Sequence, residues 1–193
     1  MKLLARFTQW IFGLLLPDSA LGREDRIRKI RKKAFRLHAA GQFAEADSAF
    51  TEWLGLAEKL GPESLQLARH LDEIADFHQN VGSFELSEKL FRRSLQIKEK
   101  IFGPNSRQTA TGINNLALLC YTQSKHEEAE HLYRRLKELL EAQAPGSRDL
   151  AICLDNYAAL LRRLRREVES QQLIAQAREV RKALEEAEEA GKV

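Results

Sequence analysis

The sequence predicts an all-helical fold made of about four repeated helix hairpins, and three observations support that prediction. First, the 193 residues include 30 leucines and 24 alanines but only four valines, so the apolar residues are helix formers rather than β-branched strand formers. Second, Pro62, Pro104 and Pro145 recur at separations of 42 and then 41 residues, which indicates an internal repeat. Third, apolar residues between these prolines recur at offsets of three, four and seven residues, the pattern of one helix face.

Residues 1–22 precede the repeats and are predicted to form a short amphipathic helix. Apolar side chains fall on one helical stripe in this segment: Leu3, Leu4, Phe7, Trp10, Ile11, Leu14 and Leu15. The continuous apolar stretch is shorter than the ~18 residues that a membrane-spanning helix needs. Basic residues follow directly, among them Arg28, Lys29, Lys32 and Lys33. Residues 1–40 contain ten basic and three acidic side chains, a net charge of +7, whereas the remainder carries −4.

An apolar segment beside a basic cluster is typical of a peripheral anchor on an anionic membrane, and we expect this function for residues 1–22 and the four cations named above. The segment could instead pack on the first hairpin or on a partner protein, or act as an organelle-targeting peptide. A cleaved signal peptide is disfavoured because basic residues follow the apolar stretch and no small-residue cleavage motif does. Nucleic acid is not an expected partner, because the basic helix has an ordinary apolar face and no interleaved aromatic residues.

Each repeat begins with a first helix that carries a small residue on its core face. Alanine stands at the equivalent position in all four units: Ala34, Ala75, Ala117 and Ala158. Seven residues later each unit reaches a turn position: Gly41, Gly82, Ser124 and Arg165. A second apolar stripe follows each turn and predicts a second helix. Gly-Pro or Pro-Gly pairs close the first three units, because glycine ends a helix and proline cannot continue one.

The predicted helix pairs are 24–39 with 43–60, 64–80 with 84–101, 106–122 with 126–143, and 148–163 with 167–190. The corresponding repeats cover 24–62, 63–104, 105–146 and 147–190, within one repeat domain at 23–190. A single hairpin cannot bury both of its faces, so stacked hairpins are expected to share a continuous core. The last helix ends in several glutamates, as expected of a terminal cap that faces solvent.

The sequence predicts no catalytic chemistry. His126 and His131 resemble the histidine pair of a zinc-protease helix, but they lie five residues apart, about 140° around a helix, so no metal site is predicted. Cys120 and Cys153 fall at interior positions of first helices and are expected to be reduced core residues. Phosphate-binding glycine loops and nucleophile motifs are missing from the sequence, so we expect neither enzymatic activity nor a cofactor.

Two units carry a family resemblance. The third contains Ile113-Asn114-Asn115-Leu116-Ala117 followed by the segment SKHEEAEHLYRR at 124–135, and the second contains Gly82-Ser83-Phe84 and ends in the segment IKEKIFGP at 97–104. These segments resemble tetratricopeptide repeats of the 42-residue variety found in kinesin light chains. The resemblance implies a right-handed superhelical solenoid whose first helices line a concave groove. The fourth unit departs from the pattern, with Arg165 where glycine is usual and Glu167 where an aromatic residue is usual.

The resemblance also implies a set of groove residues on the first helices. Carried over position by position, these are Arg69, Glu73, Thr111, Asn115, Tyr121, Asn156 and Arg162. An asparagine amide both donates to and accepts from a peptide backbone, although Asn115 and Asn156 could instead tie neighbouring helices together. Glu73 replaces one of the basic residues with which family members clamp a terminal carboxylate. A general adaptor is therefore expected rather than a receptor for chaperone tails.

These features predict a cytoplasmic, non-enzymatic scaffold or adaptor that binds a protein or peptide partner in its groove and is tethered peripherally to a membrane by its N-terminus. The alternative is an accessory subunit or assembly factor of a larger, membrane-associated complex. In that case the N-terminal segment inserts among other subunits instead of lipid.

Overall fold

The structure, a computed structural model, describes residues 20–191. Throughout this range the chain forms helix hairpins. Within that range eight α-helices occur and no strand. They are α1 (Ala20–Ala39), α2 (Phe43–Glu58), α3 (Leu65–Asn80), α4 (Phe84–Phe102), α5 (Arg107–Thr122), α6 (His126–Gln143), α7 (Arg148–Arg163) and α8 (Glu167–Ala190). The predicted all-helical hairpin fold is confirmed, and α2 to α8 begin and end within two residues of their predicted bounds.

The first helix begins earlier than predicted. Helix α1 starts at Ala20 rather than at residue 24, so the predicted boundary at residue 22 falls inside a helix. Gly22 is buried in the first turn of α1. Residues 1–19 of the amphipathic helix predicted at 1–22 lie outside the described residues.

One turn geometry is repeated in all four hairpins. Gly41, Gly82, Ser124 and Arg165 have φ angles of 75°, 82°, 59° and 61°, all in the left-handed region. The N–H that follows each of them donates to a carbonyl five residues earlier, as from Gln42 to Leu37 at 3.0 Å. This arrangement satisfies the last carbonyls of the first helix and reverses the chain.

Serine starts the first helices at a repeated position. Ser64, Ser106 and Ser147 each accept a hydrogen bond at 3.1 Å from the backbone N–H three residues later. A serine cap of this kind stabilises a helix by about 1 kcal/mol, because it satisfies one of the unpaired N–H groups. Caps and turns therefore fix both ends of the helices that carry the candidate site.

The described chain divides into two compact units, with the border between Asp76 and Phe77 inside α3. In the first unit, helices α1 and α2 pack together around the fully buried Trp53. The Trp53 indole Nε1–H donates to His70 Nδ1 at 3.3 Å and so joins α2 to α3. Partial burial lowers the pKa of His70, which favours the neutral imidazole that can accept this bond.

In the second unit, helices α4 to α8 pack in chain order. Tyr133 and Leu154 are fully buried in its core. Helices α4 and α5 approach each other closely at Gly112, which has no Cβ. A Cβ at this position would lie only 3.1 Å from Leu95 Cδ1. None of the described helices is both long enough and apolar enough to cross a bilayer.

Carboxylates at one repeated position join successive second helices. Glu88 on α4 accepts a hydrogen bond from Lys125 Nζ, and Glu130 on α6 accepts bonds from Arg166 Nη1 at 2.8 Å. Partial burial alone would raise the pKa of Glu88, but hydrogen bonds from Lys125, Arg92 and Gln123 outweigh it and lower the pKa to about 2. The hydrogen bond from Arg166 likewise lowers the pKa of Glu130.

The last second helix differs from its predecessor at the positions that would face another repeat. Tyr133, Leu136 and Leu140 of α6 are buried. Their counterparts on α8 are Ile174, Ala177 and Arg181, and the Arg181 guanidinium is exposed and pairs with Asp155. Of these three positions, Arg181 gives α8 the polar character expected of a terminal cap, while Ala177 remains buried.

Candidate partner-binding groove

The first helices of the second unit expose one continuous stripe each. We define the groove face as these two stripes on α5 and α7, which also contact each other directly. On α5 the stripe consists of Thr111, Asn114, Asn115, Leu118, Tyr121 and Thr122. On α7 it consists of Ile152, Asp155, Asn156, Ala159, Arg162 and Arg163. The opposite sides of both helices are buried, so the groove face is the surface that α5 and α7 offer to a partner.

Five of the seven predicted groove residues lie on this face. Thr111 and Arg162 are exposed, whereas Asn115, Tyr121 and Asn156 are half-buried. Asn115 and Asn156 occupy equivalent positions on neighbouring first helices. Neither side-chain amide hydrogen-bonds to another residue in the described part of the chain. Both amides therefore keep donors and acceptors for an external ligand.

A small pocket opens at the amino-terminal end of the groove face. Its volume is about 130 Å³, and it is lined by Ala110, Thr111, Asn114, Leu136, Leu140, Asp149 and Ile152. Four aliphatic side chains make it largely apolar, and Ile152 is 45% exposed. Arg107 Nη2 donates to Asp149 Oδ2 at 3.3 Å and links α5 to α7 at this end. The pocket is large enough for one aliphatic side chain, since the volume equals that of about four water molecules at ~30 Å³ each.

The carboxyl-terminal end of the groove face is aromatic and basic. The guanidinium of Arg163 lies over the Tyr121 ring, 5.4 Å from its centroid, and Arg163 Nη2 donates to Ser124 Oγ at 3.2 Å. Tyr121, predicted as an aromatic contact for a partner, is thus held in place by a cation. Arg162 adds a second exposed positive charge beside it.

Arg69 and Glu73, the other two predicted groove residues, lie on α3 in the first unit. Arg69 is exposed. The Glu73 carboxylate forms an ion pair with Arg31, with Oε1 3.1 Å from Nε, and accepts a hydrogen bond from Arg31 Nη1 at 3.3 Å, so it is already paired with α1. Glu73 links two first helices one repeat apart, as Asp149 does in the second unit.

The predicted anchor is described only in its basic part. Arg28, Lys29, Lys32 and Lys33 are all exposed on α1. Asp25 pairs with Arg28 at 3.1 Å and with Lys29 at 3.4 Å. The apolar anchor residues Leu3, Leu4, Phe7, Trp10, Ile11, Leu14 and Leu15 lie outside the described residues.

The cysteines are structural. Cys120 and Cys153 are fully buried free thiols, as predicted, and burial raises the pKa of each to about 12. Such thiols stay protonated and unreactive. Within residues 20–191 no three His, Cys, Asp or Glu side chains are grouped closely enough to hold a metal ion.

Asn114, Leu118 and Arg163 are among the groove-face residues that sequence reasoning missed. Leu118 is 39% exposed. It follows the core alanine Ala117 directly and lies outside the apolar stripe, so its position in the sequence could have indicated an exposed leucine. Asn114 lies beside the predicted Asn115 and lines the pocket. Arg163 carried no signal, because its contact with Tyr121 depends on a side-chain conformation that spacing does not encode.

Comparison with known proteins agrees with the helical repeat fold. Residues 66–142 match the family model described as tetratricopeptide repeat. The structure is similar to that of a Podospora anserina protein described as a kinesin light chain with nearly identical TPR-like repeats, solved as a single-substitution variant, with a TM-score of 0.72, 15% identity, and coverage of 94% of this chain and 85% of that chain. A second structure with the same protein description has a TM-score of 0.69 at 15% identity and covers 90% and 83% of the two chains.

BtubC (BKLC) from P. vanneervenii is also similar, with a TM-score of 0.61 at 16% identity over 94% of this chain and 89% of that chain. At these identities the likeness concerns the fold alone. No curated protein sequence matches the chain.

Proposed function

We propose that the chain, whose residues 66–142 match the tetratricopeptide repeat family model, is a non-enzymatic adaptor that holds a protein or peptide partner against the groove face of α5 and α7. The observation that carries this proposal is the pair of equivalent amides, Asn115 and Asn156, which lack internal hydrogen-bond partners among the described residues. An extended peptide has unpaired backbone N–H and C=O groups, and an asparagine amide can bond to both.

The pocket beside Ile152 supports the same proposal. A partner side chain that enters it covers apolar surface on Leu136, Leu140 and Ile152. Burial of apolar surface supplies about 25 cal/mol per Å², whereas hydrogen bonds to the asparagines fix the register of the peptide. The groove face therefore combines one apolar anchor point with polar groups that orient a chain, as peptide sites commonly do.

The second part of the proposal is a peripheral tether. Residues 1–22 and the basic side of α1 hold the protein at an anionic membrane, so that a partner bound at the groove face is kept there too. Support comes from the apolar stripe in the sequence and from the exposure of Arg28, Lys29, Lys32 and Lys33. Lysine and arginine near an anionic bilayer contribute on the order of 1 kcal/mol each.

The groove assignment is tested by peptide selection followed by substitution. Peptides are selected from a random display library on the wild-type protein, and the affinity of individual peptides is then measured by fluorescence anisotropy. We expect Asn115→Ala/Asn156→Ala to weaken binding about tenfold or more, since each lost amide removes about 1 kcal/mol of hydrogen bonding. Gln96→Ala/Gln172→Ala, which removes two exposed amides from second helices, is the matched control.

Equal losses in the two double variants, or no loss in the first, would sink the assignment of the groove face. Circular dichroism of all variants shows whether the fold is intact.

A further inference from the structure

The first helices use one set of four positions to pack on the preceding second helix. Counted from the small alanine, these positions are −8, −5, −1 and +2, and we call them the stacking face. On α5 they hold Thr109, Gly112, Leu116 and Leu119, and on α7 Leu150, Cys153, Tyr157 and Leu160, all of them buried. Gly112 packs against Leu95 of α4, and the Tyr157 ring stacks on Tyr133 of α6 with centroids 6.0 Å apart.

On α1 all four stacking positions are cationic. They are Arg26, Lys29, Lys33 and Arg36, and each is exposed. Burying four such charges against another helix would cost several kcal/mol per ion without partners, so this face cannot accept a further repeat of the same kind. Its charges run over ten residues, about 15 Å along the helix at 1.5 Å per residue.

Little negative charge offsets this stripe. Arg28 and Lys32 lie beside the four stacking positions, which makes six exposed cations on one side of α1. Asp25 pairs with Arg28 and Lys29. Among the described residues, Arg26, Lys32, Lys33 and Arg36 make no ion pair. The result is a dense positive surface on a chain whose remainder, residues 41–193, has a net charge of −4.

We propose that the stacking face of α1 is a docking surface for an anionic lipid bilayer, along which α1 lies. This inference rests on the tether in the proposed function and specifies which face meets the membrane. Charge complementarity requires an anionic partner. The chain that precedes α1 carries an apolar stripe from Leu3 to Leu15, and a bilayer is the partner that accepts both an apolar segment and adjacent cations.

Nucleic acid fits less well. Single-stranded nucleic acid is usually held by aromatic side chains that stack on its bases as well as by cations. Phe35, the exposed aromatic residue of α1, lies edge-on to Phe50 and Trp53 with centroids 5.6 and 6.2 Å apart, so its ring is engaged in packing on α2. The stripe therefore offers charge without a stacking platform.

The test measures co-sedimentation of the full chain with vesicles of phosphatidylcholine containing about 30% phosphatidylserine. The test variant is Arg26→Gln/Lys29→Gln/Lys33→Gln/Arg36→Gln. The control variant removes four exposed cations from α7, α8 and their connecting turn: Arg148→Gln/Arg165→Gln/Arg178→Gln/Lys182→Gln. Both variants have the same net charge, and circular dichroism verifies that both are folded. We expect the test variant to bind at least about tenfold more weakly than wild type, and the control to lose less than about threefold.

Each outcome bears on a different claim. If the wild type binds the vesicles and the test variant binds equally well, the assignment of the stacking face is wrong, although the tether stands. The same conclusion follows if the test and control variants lose binding equally. Failure of the wild-type chain to bind these vesicles contradicts the tether itself. Tighter binding of the wild type to a 30-nucleotide RNA than to the vesicles, lost in the test variant, overturns the choice of a membrane as partner.

Discussion

At the scale of single residues, the four turn positions show how much backbone geometry this repeat demands. Gly41 and Gly82 adopt left-handed φ angles at no steric cost. Ser124 and Arg165 adopt the same conformation with a side chain, which costs roughly 1 kcal/mol each because Cβ approaches the following carbonyl. The two later repeats are therefore locally strained at the turn where the earlier two are relaxed.

Replacing Arg165 by glycine should stabilise the protein. We expect Arg165→Gly to raise the free energy of unfolding by about 0.5–1 kcal/mol, because the relief of strain exceeds the added flexibility of the unfolded chain. Ser124→Gly should gain less, since the hydrogen bond from Arg163 to the Ser124 hydroxyl is lost. Urea denaturation measures both, with Gly82→Ala as the converse control, expected to cost about 1 kcal/mol. A lower free energy of unfolding for Arg165→Gly than for the wild type would contradict the proposed strain at this turn.

Sequence alone located these turns but not their side-chain partners. The alignment of Gly41, Gly82, Ser124 and Arg165 follows from spacing, and their shared φ angles agree with it. The pairing of Glu73 with Arg31 does not follow from spacing, because it depends on side-chain rotamers. For this reason the sequence could propose Glu73 as a groove residue without revealing that its carboxylate is already paired.

At the scale of elements, ion pairs between second helices supplement the apolar core. The Glu130 side chain is only 17% exposed and accepts hydrogen bonds from Arg166 through both oxygens. The pair formed by Arg148 and Glu188 is far more exposed, at 78% and 62%, and its atoms lie 3.6 Å apart. Burial and geometry, rather than the number of ion pairs, decide which pair contributes more to stability.

A double-mutant cycle should separate the two pairs. We expect a coupling energy of about 1 kcal/mol between Glu130→Gln and Arg166→Gln at pH 7, and roughly 0.2 kcal/mol between Glu188→Gln and Arg148→Gln. The lowered pKa of Glu130 gives the pH dependence. Its contribution is complete above the unfolded value near 4.5 and disappears as pH falls through the lower folded pKa.

Thermal or urea unfolding at pH 7 and at pH 3 measures this coupling. Equal coupling in the buried and exposed pairs, or coupling from Glu130 that grows as the pH falls below 4.5, would contradict the assignment.

Helix boundaries were the most predictable feature at this scale. Apolar periodicity, the turn positions and the Gly-Pro and Pro-Gly pairs reproduced α2 to α8 to within two residues. The start of α1 was missed by four residues, because the repeat pattern that located the other helices does not extend to the residues before it. The groove pocket was not predictable, because its floor combines Leu136 and Leu140 of a second helix with residues from two first helices.

At the scale of the whole molecule, one repeat pattern is used for two different purposes. Positions that are buried between hairpins in the later repeats are cationic on α1. Counterparts of the buried Leu136 and Leu140 on the last helix are Ala177 and Arg181. Cations on α1, and Arg181 on α8, thus stand where an interior repeat has buried side chains, which disfavours stacking of a further repeat and leaves the α1 surface for a different partner.

The proposed division of labour is that α1 meets a membrane and the groove face of α5 and α7 meets a protein. Each surface belongs to one of the two compact units, so each can be altered without changing the other. The vesicle variants should therefore keep peptide affinity, and the Asn115 and Asn156 variants should keep vesicle binding. Fold family does not identify the partner, since tetratricopeptide scaffolds serve many ligands.

The most direct test of partner binding at the groove face is site-specific photo-crosslinking with a selected peptide. The photoreactive residue p-benzoylphenylalanine is placed either at Leu118 on the groove face or at Leu86 on α4, two leucines that are 39% and 42% exposed. Binding at the groove face predicts a peptide crosslink from position 118 and none from position 86. A crosslink from position 86, with none from 118, would show that the partner binds elsewhere and would contradict the proposed function.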